Sequence, residues 1–166
     1  MLTPAEAEIL IARHLQPFHR EHCPLAAAHG RVLLEPILAD RDLPPFDRVT
    51  MDGYALRSAA WTSGIRSFRV ERIQAAGMRA FALGEAPEAC IEVMTGAVLP
   101  EGADSVVPYE ETERDGSRMT VREGAAGIAP GFSVHRRGSD HRAGEEIVAV
   151  LAPPGRSITA TFAWLI

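Results

Sequence analysis

The sequence contains no lysine, and all 17 of its basic residues are arginine. A Schiff-base lysine, a P-loop lysine and a Ser-Lys dyad are therefore excluded from these 166 residues. Only two cysteines occur, Cys23 and Cys90, and their wide separation matches neither a metal-binding motif nor a disulfide framework. No apolar run approaches the roughly 18 residues that cross a bilayer. The N-terminal segment carries Glu6 and Glu8 and no early basic residue, unlike a secretory signal, so we expect a cytoplasmic protein.

Positive charge is also scarce, because the formal net charge is −5. Proteins that bind nucleic acid usually have a basic face, so this class is disfavoured. A hydrophobic fraction of 46% and a charged fraction of 23% are typical of a soluble globular protein. The nucleophile elbow Gly-x-Ser-x-Gly, the His-Glu-x-x-His helix and the dinucleotide fingerprint are all missing. The common hydrolase, zinc-protease and dehydrogenase motifs therefore give no functional assignment.

The chain begins with a predicted helix and continues with short β-strands. Thr3 is a candidate N-cap with Glu6 three residues later, and Pro17 ends the helix. Between residues 45 and 142, glycine and proline interrupt short apolar runs, which predicts a β-rich unit without a helix longer than about three turns. The predicted strands are Arg31–Leu38, Tyr54–Leu56, Phe68–Ile73, Cys90–Val93, a hairpin of Ser105–Tyr109 and Met119–Val121 around Asp115-Gly116, and 146–151; a last helix is predicted at 158–166.

Three glycine-bearing loops combine acids or hydroxyls and are candidate sites. Asp52 precedes Gly53, which indicates either a tight Asp-Gly turn or a carboxylate presented to solvent. Thr95 precedes Gly96, where a hydroxyl and nearby amides could hold an oxyanion. The third loop, 134–141, offers Arg136-Arg137 to a phosphate or a carboxylate, and a His-Asp-His metal site is a further alternative. Pattern alone does not choose among these interpretations.

Taken together and in order, these segments resemble the N-terminal region of the molybdopterin molybdenumtransferases, the MoeA-type family that includes the C-terminal part of gephyrin. Each piece is short, and the resemblance comes from their order and spacing along most of the chain. The matching segments are 28–33 (Ala-His-Gly-Arg-Val-Leu), 42–48 (Asp-Leu-Pro-Pro-Phe-Asp-Arg), 51–55 (Met-Asp-Gly-Tyr-Ala), Gly84-Glu85, 94–97 (Met-Thr-Gly-Ala), 99–104 (Leu-Pro-Glu-Gly-Ala-Asp), and Gly138, Asp140 and Gly144.

The resemblance implies a mainly β fold of branched and coiled sheets, with an N-terminal helix that packs on a later domain. It also implies an organisation in three parts. Residues 1–20 form the helix, 21–44 with 143–166 a small elongated subdomain, and 45–142 an inserted β-rich subdomain. The family's α/β pterin-binding domain and its β-barrel domain are expected to be missing from these residues, so the chain is expected to be inactive alone.

The family reaction implied is insertion of molybdate into adenylylated molybdopterin with release of AMP, assisted by Mg²⁺. The site lies between the subunits of a homodimer and faces the partner's pterin-binding domain, with no nucleic acid or membrane as partner. The resemblance assigns Asp52, Thr95 and Asp140 to catalysis, Asp52 and Asp140 to the metal, and Thr95, His135 and Arg136 to the cofactor. We expect Asp52, Thr95 and Asp140 to gather on one exposed face.

The sequence departs from the family pattern in two of these loops. Val49-Thr50 stands where the family has Ser-Ala, Ser133-Val134-His135 replaces Asn-x-Arg, and Ser139 replaces a glutamate. A histidine is mostly neutral near pH 7 and binds anions more weakly than arginine. The alternative function is therefore a non-catalytic dimerisation or binding module that keeps the fold.

Overall fold

The computed structural model describes residues 2–14, 20–125 and 127–149. The described residues fall into two compact units, one comprising those up to Leu38 and from Glu146 onward, the other Ala39–Glu145. The three-part division drawn from the sequence stays a prediction. No helix in this described part of the chain has the length and apolar character needed to span a membrane.

Ten strands occur among the described residues. They are short, and the longest has eight residues. In chain order they are β1 (Ile37–Leu38), β2 (Arg48–Val49), β3 (Gly53–Leu56), β4 (Ser67–Gln74), β5 (Ala89–Val93), β6 (Ser105–Pro108), β7 (Thr112–Asp115), β8 (Arg118–Val121), β9 (Val134–His135) and β10 (Glu146–Val148).

The first unit contains the N-terminal helix α1, Pro4–His14. Its first turn is closed by a capping box. Thr3 Oγ1 accepts the Glu6 amide at 3.3 Å, and the Glu6 carboxylate accepts the Thr3 amide at 2.8 Å. The predicted start of the helix is confirmed, while its predicted end at Pro17 lies outside the described residues. No side chain of α1 is buried.

The rest of the first unit is nearly without regular structure. A short 3-10 helix spans Leu25–Ala27, and Gly30 follows with a positive φ of 77°. The strand predicted at Arg31–Leu38 is wrong for most of its length, since only β1 pairs, antiparallel to β10. The apolar run at 32–34 has no neighbouring strand to bond among the described residues, so an apolar run alone does not make a strand. The last predicted helix falls among residues that are not described.

A six-stranded sheet forms the centre of the second unit, in the order β6-β3-β5-β4-β8-β7. Only β4 and β5 run parallel, and the other neighbours are antiparallel. β5 is buried throughout because Cys90 faces one hydrophobic cluster and Ile91 the other. The longest helix described between residues 45 and 142 is α2, Ser58–Thr62. The predicted mainly β fold with an N-terminal helix is confirmed.

The hairpin at Asp115-Gly116 joins β7 to β8, with Asp115 opposite Arg118. Gly116 has a φ of 55°, as a two-residue hairpin loop requires. The predicted first arm, Ser105–Tyr109, is wrong, because β6 pairs with β3 instead. β7 is an edge strand of sequence Thr-Glu-Arg-Asp, so it shows no apolar alternation from which it could have been predicted.

The buried position of Cys90 has a consequence for its chemistry. Burial raises the pKa of its thiol to about 12, so the nucleophilic thiolate is almost absent at pH 8. Cys23 is only half-buried. We expect a thiol reagent at pH 8 to modify Cys23 in the folded protein, and Cys90 only after denaturant is added. Mass spectrometry of the labelled peptides checks this, and rapid labelling of Cys90 in the native protein would contradict the buried position of β5.

Candidate active site

Strand β2 brings the three predicted loops together. On one side it pairs antiparallel with β9, with Arg48 opposite His135. On the other side Val49 exchanges hydrogen bonds with the Thr95 loop: its amide donates to the Ala97 carbonyl, and its carbonyl accepts the Gly96 amide, both at 2.9 Å. The segments around residues 48, 96 and 134 are therefore adjacent in space although they are far apart in sequence.

Asp52 and Thr95 form one pair within this arrangement. The Thr95 amide and its hydroxyl both donate to Asp52 Oδ1, at 2.7 and 2.8 Å. These bonds, the amide first, hold the pKa of Asp52 below its ordinary value, so the carboxylate is charged near neutral pH. Both residues are exposed, and Asp52 Oδ2 makes no hydrogen bond among the described residues. The hydroxyl proton that the sequence suggested for an oxyanion is given to Asp52.

Glycine is needed at position 53 because of close strand packing and not because of a turn. Its φ is not positive, and the residue is already the first of β3. A Cβ atom at this position would overlap the backbone carbonyl oxygen of Val107 in the neighbouring strand β6. Glycine therefore allows β3 and β6 to approach each other. The expectation of a tight Asp-Gly turn is wrong at Gly53, and the interpretation of Asp52 as a solvent-facing carboxylate is confirmed.

His135 and Asp140 form the second pair. His135 Nε2 and Asp140 Oδ1 are 2.8 Å apart, and Arg48 Nη2 lies 3.0 Å from His135 Nδ1. An arginine can only donate, so Nδ1 must be the acceptor and carries no proton. The proton of the neutral imidazole is then on Nε2 and is donated to Asp140. Both ring nitrogens of His135 are thus occupied by protein groups.

Arg136 and Arg137 are each held by an aspartate. Arg136 Nη1 donates to Asp47 Oδ2 at 2.6 Å, and Arg137 Nε donates to Asp42 Oδ2 at 2.7 Å. The Arg137 amide also donates to Asp47 Oδ1 at 2.8 Å. Of the two interpretations of these arginines, the structure shows the carboxylate anchor. The assignment of Arg136 to cofactor binding stays a prediction.

The two pairs are connected through β2, and no hydrogen bond among the described residues joins them directly. The described part of the chain holds no group of three or more His, Cys, Asp or Glu side chains arranged for a metal ion. Mg²⁺ often takes only one or two carboxylates and completes its shell with water and phosphate. Asp52, with one oxygen unbonded and its charge retained, fits such a site; the assignment of Asp52 and Asp140 to a metal stays a prediction.

Comparison with known proteins identifies the group to which this arrangement belongs. Residues 2–161 match the family described as the MoeA N-terminal region (domain I and II). The chain belongs to this family. A molybdopterin molybdenumtransferase from Synechocystis is 39% identical over an alignment of 153 residues, and the match covers 89% of this chain and 37% of that protein. A molybdopterin molybdenumtransferase from Synechococcus elongatus is 34% identical over 87% of this chain and 36% of its own length.

A solved MoeA structure from Pyrococcus horikoshii has the same fold as the chain. The TM-score is 0.70 at 28% sequence identity, and the match covers 89% of this chain and 38% of that one. The resemblance stated from the motifs is confirmed, as is the MoeA-type fold. The chain spans a little over a third of the length of the relatives it matches.

A half-buried polar network under the Asp52 loop was not foreseen from the sequence. The Tyr109 hydroxyl donates to Glu92 Oε1 at 2.7 Å, and Arg114 binds the other oxygen of Glu92. The Tyr109 amide donates to the Asp52 carbonyl at 3.1 Å. Burial, first of all, raises the pKa of Tyr109, so its hydroxyl stays protonated. The backbone amide of Tyr109 therefore ties the Asp52 segment to a residue whose side chain is anchored on Glu92.

Asp47 links the 42–48 segment to the 134–140 loop, and its charge should make stability depend on pH. The Arg137 amide, followed by the Arg136 guanidinium, lowers the pKa of Asp47 in the folded state. A carboxyl group whose pKa is lower in the folded than in the unfolded state stabilises the fold at pH values above its unfolded pKa. This stabilisation is lost as the pH falls through the folded pKa. We expect Asp47→Asn to reduce the free energy of unfolding by about 1 kcal/mol at pH 7, after allowance for solvent screening.

The difference between wild type and Asp47→Asn should shrink below about pH 4. Urea unfolding measured from pH 7 to pH 3 checks this. Asp115→Asn is the matched control because Asp115 is an exposed hairpin residue. A difference that is the same at pH 3 and pH 7 would contradict the assigned ion pair.

Proposed function

We propose that this chain supplies the N-terminal-region part of a molybdopterin molybdenumtransferase, acting in molybdenum cofactor biosynthesis. The observation that carries the proposal is the Asp52–Thr95 pair, an exposed charged carboxylate fixed by two hydrogen bonds in a member of the MoeA family. Relatives named molybdopterin molybdenumtransferase support the activity, and it is a proposal for the longer protein because the chain matches only 37% of such a relative.

The reaction we propose is the insertion of molybdate into adenylylated molybdopterin with release of AMP. Asp52 Oδ2 would bind Mg²⁺, which would offset the negative charge of the substrate phosphate. Thr95 would keep the carboxylate oriented through its amide and hydroxyl, 2.7 and 2.8 Å from Oδ1. Asp140, fixed by His135 at 2.8 Å, would provide a second carboxylate at the same site. These roles need charged, pre-positioned carboxylates rather than a nucleophile.

We also propose that the site is completed by a second subunit. Asp52, Thr95 and Asp140 are each exposed, which would leave them open to a partner if they border one face as we propose. A homodimer in which the pterin-binding domain of the partner subunit covers this face would supply the remaining ligands. The 166-residue chain by itself is then expected to release no AMP above background from adenylylated molybdopterin, molybdate and Mg²⁺. Catalytic turnover by the isolated chain would contradict a shared site.

The second candidate is a non-catalytic dimerisation or binding module. It is favoured by the third loop, where the Arg136 guanidinium is bound to Asp47 and both nitrogens of His135 are occupied. A loop whose charged and polar groups are bound to other protein groups stabilises the fold and leaves few groups free for a substrate. The retained Asp52–Thr95 pair favours the enzyme, since a purely structural module gains little from an exposed charged carboxylate with one oxygen unbonded.

A chimera separates the two functions. The 166-residue chain replaces the matched N-terminal region of the Synechocystis relative, and the chimera is expressed in a bacterium that lacks its own molybdenumtransferase. We expect the activity of a molybdenum-dependent enzyme to return, as it should with the unaltered relative. A chimera that is folded and expressed at the same level but restores no activity would reject the enzymatic function and favour the non-catalytic binding module.

A further inference from the structure

Arg48 differs from the other arginines of the candidate site in having no carboxylate partner in the described part of the chain. Arg136 and Arg137 are neutralised by Asp47 and Asp42. Within the described ranges, no carboxylate lies within 4 Å of the Arg48 guanidinium, whose one recorded bond goes to a neutral ring nitrogen at 3.0 Å. A guanidinium has five N–H donors, so most of its hydrogen-bonding capacity and its whole charge stay available. Arg48 is also exposed.

The position of Arg48 is fixed more firmly than that of an ordinary surface arginine. Its backbone lies in β2, which pairs with β9 on one side and forms a bridge to Val98 on the other. The His135 ring holds one end of the guanidinium, and Asp140 holds that ring from the opposite nitrogen. The chain of contacts Arg48–His135–Asp140 therefore presents a pre-oriented cation close to Asp140, with the His135 ring between them.

His135 cannot perform this function itself. Its Nε2 proton is donated to Asp140 and its Nδ1 accepts from Arg48, so the imidazole has no donor left for an anion. A guanidinium, by contrast, binds a tetrahedral oxyanion through two parallel N–H···O bonds. We propose that Arg48, held against His135, is the residue of this site that binds a tetrahedral oxyanion, either molybdate or a substrate phosphate. This inference rests on the proposed function and names a specific binding group for it.

The test is a titration of the ¹⁵N-labelled 166-residue chain, followed by NMR at pH 7.5. Sodium molybdate, sodium phosphate and sodium chloride are added in separate titrations at matched ionic strength. We expect saturable shifts of the amides of residues 48 and 134–136 with an oxyanion and not with chloride. Saturation by molybdate alone, by phosphate alone or by both identifies the source of the oxyanion and supports the proposal in each case.

Three variants locate the charge that matters. Arg48→Gln should weaken oxyanion binding at least about tenfold, as expected for loss of a charge-assisted hydrogen bond. Arg118→Gln is the control, because Arg118 is exposed on β8 and its guanidinium donates only to the Ser67 hydroxyl among the described residues, at 3.1 Å. In the double variant Arg48→Gln/His135→Arg the guanidinium moves to the facing position of the same cross-strand pair. It should recover binding to within about threefold of wild type.

The proposal is overturned if Arg48→Gln binds like the wild type, if Arg118→Gln loses binding equally, or if neither oxyanion shifts these amides at about 50 mM, far above a millimolar affinity. Failure here is distinguishable from failure of the proposed function. Restored enzyme activity in the chimera together with no binding at Arg48 would remove only this inference. Oxyanion binding at Arg48, together with a chimera that restores no enzyme activity, would reject the proposed enzymatic function and keep the oxyanion site.

Discussion

Asp52→Asn in the purified chimera is expected to lower the rate of AMP release by at least about a hundredfold, close to 2.7 kcal/mol in the activation free energy. The substitution removes the negative charge that would hold Mg²⁺ near the phosphate. It keeps a carbonyl oxygen that can accept the Thr95 amide, which donates to Asp52 at 2.7 Å. The loop should therefore stay folded while AMP release slows. An unchanged melting temperature of the variant checks that the fold is kept.

The control for this variant is Asp115→Asn. Asp115 is exposed at the end of β7 and pairs across the hairpin with Arg118. β7 is the edge strand of the sheet, and β5, β4 and β8 lie between it and β3. Its substitution should leave the rate of AMP release within about twofold, because surface changes away from a site usually have small effects. An Asp52→Asn chimera with the rate of its parent would show that Asp52 is not required, and would remove the residue that carries the proposed function.

Gly53→Ala is expected to destabilise the second unit by about 3 kcal/mol. Gly53 is the first residue of β3, which is bonded to β5 and β6 on its two sides. The added Cβ would overlap the Val107 carbonyl oxygen, a backbone atom that can move only if the β3–β6 pairing opens. An alanine in an unobstructed strand would slightly stabilise the protein by restricting the unfolded chain, so the expected sign here is opposite.

Gly127→Ala is the matched control for Gly53→Ala. An added Cβ at Gly127 meets nothing within 4 Å, and its φ is not positive. We expect its free energy of unfolding to stay within about 0.5 kcal/mol of the wild type. Urea unfolding monitored by tryptophan fluorescence measures both variants. Equal stability of Gly53→Ala and Gly127→Ala would contradict the close approach of β3 and β6 at Gly53.

Local signals were sufficient to predict some elements of the fold. The start of α1 could be predicted because Thr3 and Glu6 satisfy each other's amide groups within one turn. β4 and β5 could be predicted as strands from alternating residues, although β5 is buried on both faces rather than half-buried because its side chains enter two hydrophobic clusters. β7 could not be predicted from alternation, because an edge strand with three exposed charged residues has its stability determined by the neighbouring β8.

The loops that form the candidate site could be predicted from the sequence, but the residue pairs within it could not. The loops were marked by glycine beside acid or hydroxyl residues, and β2 does bring them together. The bond between Asp52 and Thr95 spans 43 positions and depends on the register of β3 and β5, which no local pattern specifies. No local pattern indicates Arg48 for the same reason: its proposed role depends on its position opposite His135, 87 positions away.

The most direct test of the proposed function is the release of AMP by the purified chimera. Adenylylated molybdopterin and Mg²⁺ are supplied with and without molybdate, and AMP is measured by chromatography over several turnovers. We predict molybdate-dependent release that is lost in Asp52→Asn. A chimera that is folded and dimeric, yet releases AMP no faster than the substrate alone, would contradict the assignment of this chain to a molybdenumtransferase.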